Sequence, residues 1–192
     1  MSDTSGNAVD ERRLAERATR GDARAFADLV TRYQNAVYRL CLRYGAEEAQ
    51  DLAQETFMRA FVHRERFDPT RPILPWLLTI ARRLCIDRVR KHKPVLAEDD
   101  RPLDPADEHP DAEATLATRE QLGQLKQAHS KLADGPREAI ALYHWEGLSY
   151  DEIAKIMNVP MGTVMTWLHR GRAQLRKALE EAQVPVARGS AS

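Results

Sequence analysis

Apolar positions recur three and four residues apart along most of this 192-residue chain, and no stretch alternates apolar with polar residues as a half-buried strand does. The pattern predicts a protein built of helices. Met1 to Ala8 is small and polar and reads as a disordered start. A short helix is expected over Val9 to Arg20, broken and recapped by Gly21-Asp22. The next, about Ala23 to Tyr44, places Phe26, Leu29, Val30, Tyr33, Val37, Leu40, Cys41 and Tyr44 on one side, a stripe long enough to be the spine of a bundle, and Gly45 ends it. A third helix, Ala46 to about Phe67, has Ala49, Leu52, Ala53, Thr56, Phe57 and Ala60 as its core stripe. Its reverse side gathers Glu47, Asp51, Gln54, Glu55 and Met58. Such an acidic, amide-bearing face with one soft apolar residue fits either a docking site for a basic partner helix or a solvated exterior.

Asp68 to Pro75, reading DPTRPILP, has three prolines and is expected to be a stiff loop. Trp76 then opens a fourth helix to about His92, with Leu77, Ile80, Ala81 and Leu84 toward the bundle. Its latter half is crowded with Arg82, Arg83, Arg88, Arg90, Lys91 and Lys93. A helix dipole favours cations only in the last turn, so the excess of charge beside a Trp and a stiff loop suits a nucleic-acid backbone and unstacked bases. From Pro94 to about Ala112 the chain changes character: seven acidic residues are interleaved with Pro102, Pro105 and Pro110, as in a flexible linker. The expected organisation is an N-terminal helical domain over 9–93, a linker over 94–112 and a C-terminal helical domain over 113–182, with a loose tail from Val184 to Ser192.

Within the C-terminal part, helices are expected over Glu113 to Lys131 and Pro136 to Trp145. They lead into Gly147 to Leu175, GLSYDEIAKIMNVPMGTVMTWLHRGRAQL. Ser149 and Glu152 have the spacing of a capping box, Ile153, Ala154 and Met157 follow at helical spacing, Asn158-Val159 makes a turn, and Pro160 suits the first position of a second helix. This is a helix-turn-helix layout. On a wheel of about 100° per residue, Val164, Leu168, Gly171, Leu175 and Leu179 share the buried stripe. The outward face is then Gly162, Thr163, Thr166, His169, Arg170, Ala173 and Lys177, with small residues first and cations further along. Such a face approaches a sugar-phosphate wall closely and sends Thr166, His169 and Arg170 to base edges. A solvated face of an ordinary helical hairpin is the plainer alternative.

Composition sharpens the picture in two places. Lys and Arg together number 29, equal to Asp and Glu, but the bases and acids occupy different segments, so neutrality overall does not argue against nucleic acid. Cys41 and Cys85 stand singly on apolar stripes, without a CxxC or a His at ligand spacing, and read as buried free thiols rather than a disulfide or a metal site. A polar N-terminus and the lack of any apolar run of membrane length point to a reduced cytoplasm.

Three of these motifs, DLAQETF at Asp51 to Phe57, WLLTIARRLCIDRVRK at Trp76 to Lys91 and GLSYDEIAKIMNVPMGTVMTWLHRGRAQLR at Gly147 to Arg176, resemble in order and spacing those of an extracytoplasmic-function sigma factor of bacterial RNA polymerase. The resemblance covers nearly the whole chain outside the linker and the ends. It implies an all-α protein of two small helical domains joined by an acidic, proline-rich linker, with a C-terminal helix-turn-helix. It also implies a role in transcription initiation and stress response, without catalysis, cofactor, metal or small-molecule substrate.

The implied partners are core RNA polymerase, through its clamp helices and flap, promoter DNA and a cognate anti-sigma factor, with the membrane as one place where that factor would hold the chain. Docking on core falls to Asp51, Gln54 and Glu55, and opening of the −10 element to Arg71, Trp76, Arg82, Arg83, Arg88 and Arg90 with the loop before them. Reading of the −35 element falls to Gly162, Thr163, Thr166, His169, Arg170 and Lys177. The linker would thread the polymerase as an acidic mimic of nucleic acid.

The sequence departs from the family at Met165 and Trp167, where many members carry basic or small residues. The wheel puts both on the flanks of the DNA face. Two other functions fit parts of the pattern. A stand-alone regulator would bind duplex operator DNA by itself. An enzyme acting on nucleic acid would need a second acidic cluster, a nucleophile with its base, or a phosphate-binding glycine loop, and the sequence offers none of them. His129 and His144 read as structural or solvated.

Overall fold

A computed structural model describes the backbone over residues 4–92 and 116–181, and side chains over 9–91 and 123–180. It contains eight α-helices, one 3-10 turn and no strand among the described residues. The chain divides into two compact units, Met1–Asp99 and Asp100–Ser192. The acidic stretch expected as a linker and the expected tail lie outside the described residues.

The first unit packs α1 (Thr4–Thr19), α2 (Ala23–Leu42), α3 (Ala49–Val62) and α4 (Ile73–His92) around α2. α1 starts five residues earlier than polarity suggested, because a short polar run continues a helix once its next turns are packed. Asp22 opens α2, its carboxylate accepting from the Arg24 and Ala25 amides. These hydrogen bonds, with the nearby Arg17 guanidinium, hold its pKa below the ordinary carboxylate value. Leu29, Tyr33, Val37, Leu40 and Cys41 are buried as the stripe required, whereas Phe26 and Val30 sit at its edge, half-buried. In α3 the buried residues are Ala49, Leu52, Ala53, Thr56, Phe57 and Ala60, the six named from periodicity. The helix itself is shorter than expected: it ends at Val62, and Arg64–Arg66 forms the 3-10 turn.

The proline-rich loop is also shorter. α4 begins at Ile73 instead of Trp76, so that Pro75 lies in its first turn, where a missing amide hydrogen leaves no bond unmade. Glu11 on α1 supports that start by accepting from the Ile73 amide at 3.4 Å. Burial, and then the charge and hydrogen bond of the same Glu11, push the Tyr33 hydroxyl far above the usual phenol range. Leu77, Leu78, Ala81, Leu84 and Cys85 form the buried side of α4, and Cys41 and Cys85 are buried thiols outside any disulfide.

The second unit packs α5 (Leu116–Ser130), α6 (Asp134–His144) and α7 (Tyr150–Met157) against α8 (Met161–Glu181). His129 is buried, its Nε2 3.1 Å from the Arg137 carbonyl and its ring 4.8 Å from that of Trp145. Arg137, itself buried, donates to the Ser130 carbonyl and pairs with Asp134, which fixes the turn between α5 and α6. α6 therefore starts two residues before the expected Pro136.

Candidate nucleic-acid interface

The helix-turn-helix is α7 and α8. The capping box is complete: the Glu152 carboxylate accepts from the Ser149 amide at 2.8 Å, and the Ser149 hydroxyl accepts from the Glu152 amide at 3.4 Å. Asn158 ends α7 in the left-handed region at φ 54°, a conformation that an Asn side chain tolerates better than most. Pro160 stands just outside α8 rather than in its first position, its carbonyl accepting from the Thr163 and Val164 amides. Ile153, Ile156 and Met157 of α7 and Val164 and Leu168 of α8 are buried, each side chain worth about 1.5–3 kcal/mol. That burial fixes the rotation of α8, and so decides which residues it presents.

Gly162, Thr166, His169, Arg170 and Lys177 are exposed on α8, and Thr163 is half-buried at their edge. The Thr166 hydroxyl donates to the Gly162 carbonyl at 2.9 Å, so it offers only its methyl group and an acceptor outward. At Gly171 α8 packs tightly on α6: an added Cβ would lie 2.5 Å from Cδ1 of Ile140. Next to it, Arg172 lies over the Tyr143 ring at 4.7 Å and donates from Nε to His144 Nε2 at 3.3 Å. Burial, then the Arg172 charge, lowers the His144 pKa.

The two departures from the family separate here. Trp167 is half-buried, its ring lying against the backbone of Gly135 so closely that a Cβ there would be 2.7 Å from Cζ2. It is a packing residue and leaves the flank of the DNA face. Met165 stays open at 50% exposure, and Met161, one turn before it, at 52%.

In the first unit, Asp51 and Gln54 are exposed on α3, and Glu55 pairs with Arg59 at 2.6 Å. Beside them runs a shallow groove of about 430 Å³ lined by Phe26, Val30, Gln54, Phe57, Met58 and Phe61. Phe26 and Phe61 meet edge to face across it at 5.1 Å. Periodicity assigns Phe26 and Val30 to the core and leaves Met58 as the one apolar residue on the outward side of α3. The apolar part of this surface was therefore missed, since it needs two helices to form it.

The residues expected at the −10 element do not share one environment. Arg71 pairs with Asp68 at 3.4 Å in a turn where Asp68 also accepts from the Thr70 amide and hydroxyl, and these bonds lower its pKa. Trp76 is half-buried against Phe67, ring centroids 5.1 Å apart. Arg83 and Arg90 are exposed and Arg82 is half-buried. Arg88 reaches Glu48 at 2.8 Å, an ion pair that ties α4 to the start of α3. No helix among the described residues is long and apolar enough to cross a membrane, and no group of His, Cys, Asp or Glu among them is placed to hold a metal ion.

Two helical units, the second ending in a helix-turn-helix with an exposed polar and basic face, define a DNA-reading transcription protein. Residues 29–95 match the family model of sigma-70 region 2, and residues 122–175 that of sigma-70 region 4. The chain is 37% identical to the ECF RNA polymerase sigma factor SigW of Bacillus subtilis, over 84% of this chain and 92% of that protein. Among solved structures it resembles CnrH in complex with the cytosolic domain of CnrY, with a TM-score of 0.63, 28% identity and coverage of 89% of this chain and 97% of that one. It also resembles the sigma factor RpoE in complex with the anti-sigma factor NepR from Bartonella quintana, with a TM-score of 0.62, 26% identity and coverage of 81% and 96%. The chain belongs to the extracytoplasmic-function sigma factors of the sigma-70 family, which direct RNA polymerase to promoters.

Proposed function

We propose that the two units divide the work of a promoter-specific sigma factor. The N-terminal domain, 9–93, docks on the clamp helices of core polymerase through Asp51, Gln54 and Glu55 of α3. The groove between Phe26, Met58 and Phe61 lies next to Gln54 and supplies apolar area that the charged residues alone lack. The same domain opens the −10 element with the turn at Asp68 to Arg71 and with Trp76, Arg82, Arg83, Arg88 and Arg90, of which the exposed Arg83 and Arg90 are the readiest for phosphate. The segment over 94–112 threads the polymerase, and the C-terminal domain, 113–182, reads the −35 element and contacts the flap. The chain performs no catalysis of its own and works in the cytoplasm. A cognate anti-sigma factor holds it in reserve, an expectation supported by the anti-sigma factor NepR in the RpoE complex.

The observation that carries this reading is the outward face of α8. Burial of Val164 and Leu168 leaves Gly162, Thr166, His169, Arg170 and Lys177 exposed on the second helix of a helix-turn-helix. A guanidinium at Arg170 pairs in bidentate fashion with one guanine, a contact worth about 1–3 kcal/mol of discrimination. Arg170→Ala should relax one base position of a library randomised at the −35 element while core binding stays intact. Lys177→Ala should lower affinity evenly across sequences and flatten its salt dependence. If Arg170→Ala scales every promoter by one factor, base reading is not its role.

A further inference from the structure

The first two turns of α8, Met161 to Leu168, contain no Arg, Lys, Asn or Gln, the side chains that make bidentate hydrogen bonds to base edges. These are the turns that enter the major groove most deeply in a helix-turn-helix, where the N-terminal residues of the second helix meet the bases. What they expose is apolar or small: Met161 at 52%, Gly162, Met165 at 50%, and Thr166, whose hydroxyl hydrogen is already given to the Gly162 carbonyl. Met161 and Met165 are four residues apart and so lie one above the other along the helix. Trp167 is not part of this surface, because its ring lies against Gly135.

Two large apolar side chains left in water beside a DNA-reading face are explained if that face covers them when it docks. In the major groove the one apolar group on a base edge is the 5-methyl of thymine. We infer that Met165, with Met161 and the Thr166 methyl beside it, selects thymine in the −35 element through that methyl group. The inference rests on the assignment of α8 to the −35 element and adds a specificity-determining residue to it. The face is then split along its length, with methyl readout in the first two turns and hydrogen-bonded readout by Arg170 after them. The thioether is unbranched and polarisable, which suits it to follow a methyl group whose position shifts with local DNA shape.

The test uses holoenzyme formed from core polymerase and the full chain. A promoter is first recovered from a library randomised at the −35 element, and each thymine of that element is then replaced singly by deoxyuridine, which keeps the hydrogen-bonding edge and removes only the methyl. For the wild type, at least one replacement should weaken binding by about fourfold, the worth of one buried methyl-sized group. The same replacement should have no effect on Met165→Ala, whose fold and core binding should be those of the wild type because the side chain is exposed. The inference is overturned if no replacement weakens the wild type, if Met165→Ala keeps full sensitivity to it, or if the recovered element requires no thymine. Selection of promoters with no base preference at the −35 position would instead overturn the −35 assignment on which the inference rests.

Discussion

Gly135→Ala tests whether the Trp167 ring is packed against α6 rather than open beside the recognition face. Gly135 is the second residue of α6, and a Cβ there would lie 2.7, 2.8 and 3.1 Å from Cζ2, Cε2 and Cη2 of the Trp167 ring. Carbon atoms do not approach so closely, and an indole has no flexible end to bend away. The whole ring must move, at a cost of about 1–3 kcal/mol, typical of an overpacked contact. Helix propensity acts the other way, since Ala is favoured over Gly by up to about 1 kcal/mol, and by less near a helix end. The clash is the larger effect, so the variant should be destabilised by about 1–2 kcal/mol.

In a Trp167→Ala background nothing is left to clash, and the same substitution should become neutral or stabilising by up to about 1 kcal/mol. Urea unfolding of the four proteins of this cycle, with hydrogen exchange of α6 and α8 peptides to assign the change to the second unit, measures both signs. A Gly135→Ala substitution with the same sign in both backgrounds would refute the reasoning.

Asp51→Arg with Glu55→Arg should weaken retention on core polymerase in a pull-down and leave the first unit folded, since both lie outside the buried stripe of α3; unchanged retention would make that face a solvated exterior. Ser149→Ala removes one half of the capping box and should destabilise the second unit by about 1 kcal/mol in denaturant unfolding, whereas Ser149→Asp should restore most of it. The Arg172 Nε–H needs an unprotonated His144 Nε2, and the His144 pKa is lowered in the folded chain. The unfolded state therefore binds the proton more readily, and the contribution is fully present above the unfolded value of 6.5 and lost as pH falls below it toward the depressed folded value. A plot of stability against pH should be flatter there for His144→Gln than for the wild type.

Periodicity alone located the six buried residues of α3 and, in α8, the buried Val164, Leu168 and Gly171, because there one face packs on neighbours and a spacing of 3.6 leaves no other arrangement; Leu175 and Leu179, further along the same stripe, are only half-buried. The capping box was equally legible, being a purely local signal. What the sequence hid depends on contacts between distant residues. The pairing of Arg88 with Glu48 spans 40 residues and the bond from the Ile73 amide to Glu11 spans 62. Neither pair has a local pattern to announce it. Trp167 reads as a flank of the DNA face because a wheel shows only its own helix, whereas its placement depends on the missing side chain of Gly135. Pro72 and Pro75 concealed the start of α4, since proline reads equally as loop and as first turn. The groove of Phe26, Val30, Met58 and Phe61 needed two helices to be seen together.

Transcription from a library of genomic fragments by purified core polymerase, with and without the full chain, tests the central claim most directly. Addition of the chain should start RNA synthesis from a limited set of fragments that share two short elements at the spacing of −35 and −10 sites, and core alone should give none of these products. Binding of the chain alone to specific duplex sites, with no change in the start sites that core selects, would contradict the account and would make the protein a stand-alone DNA-binding regulator.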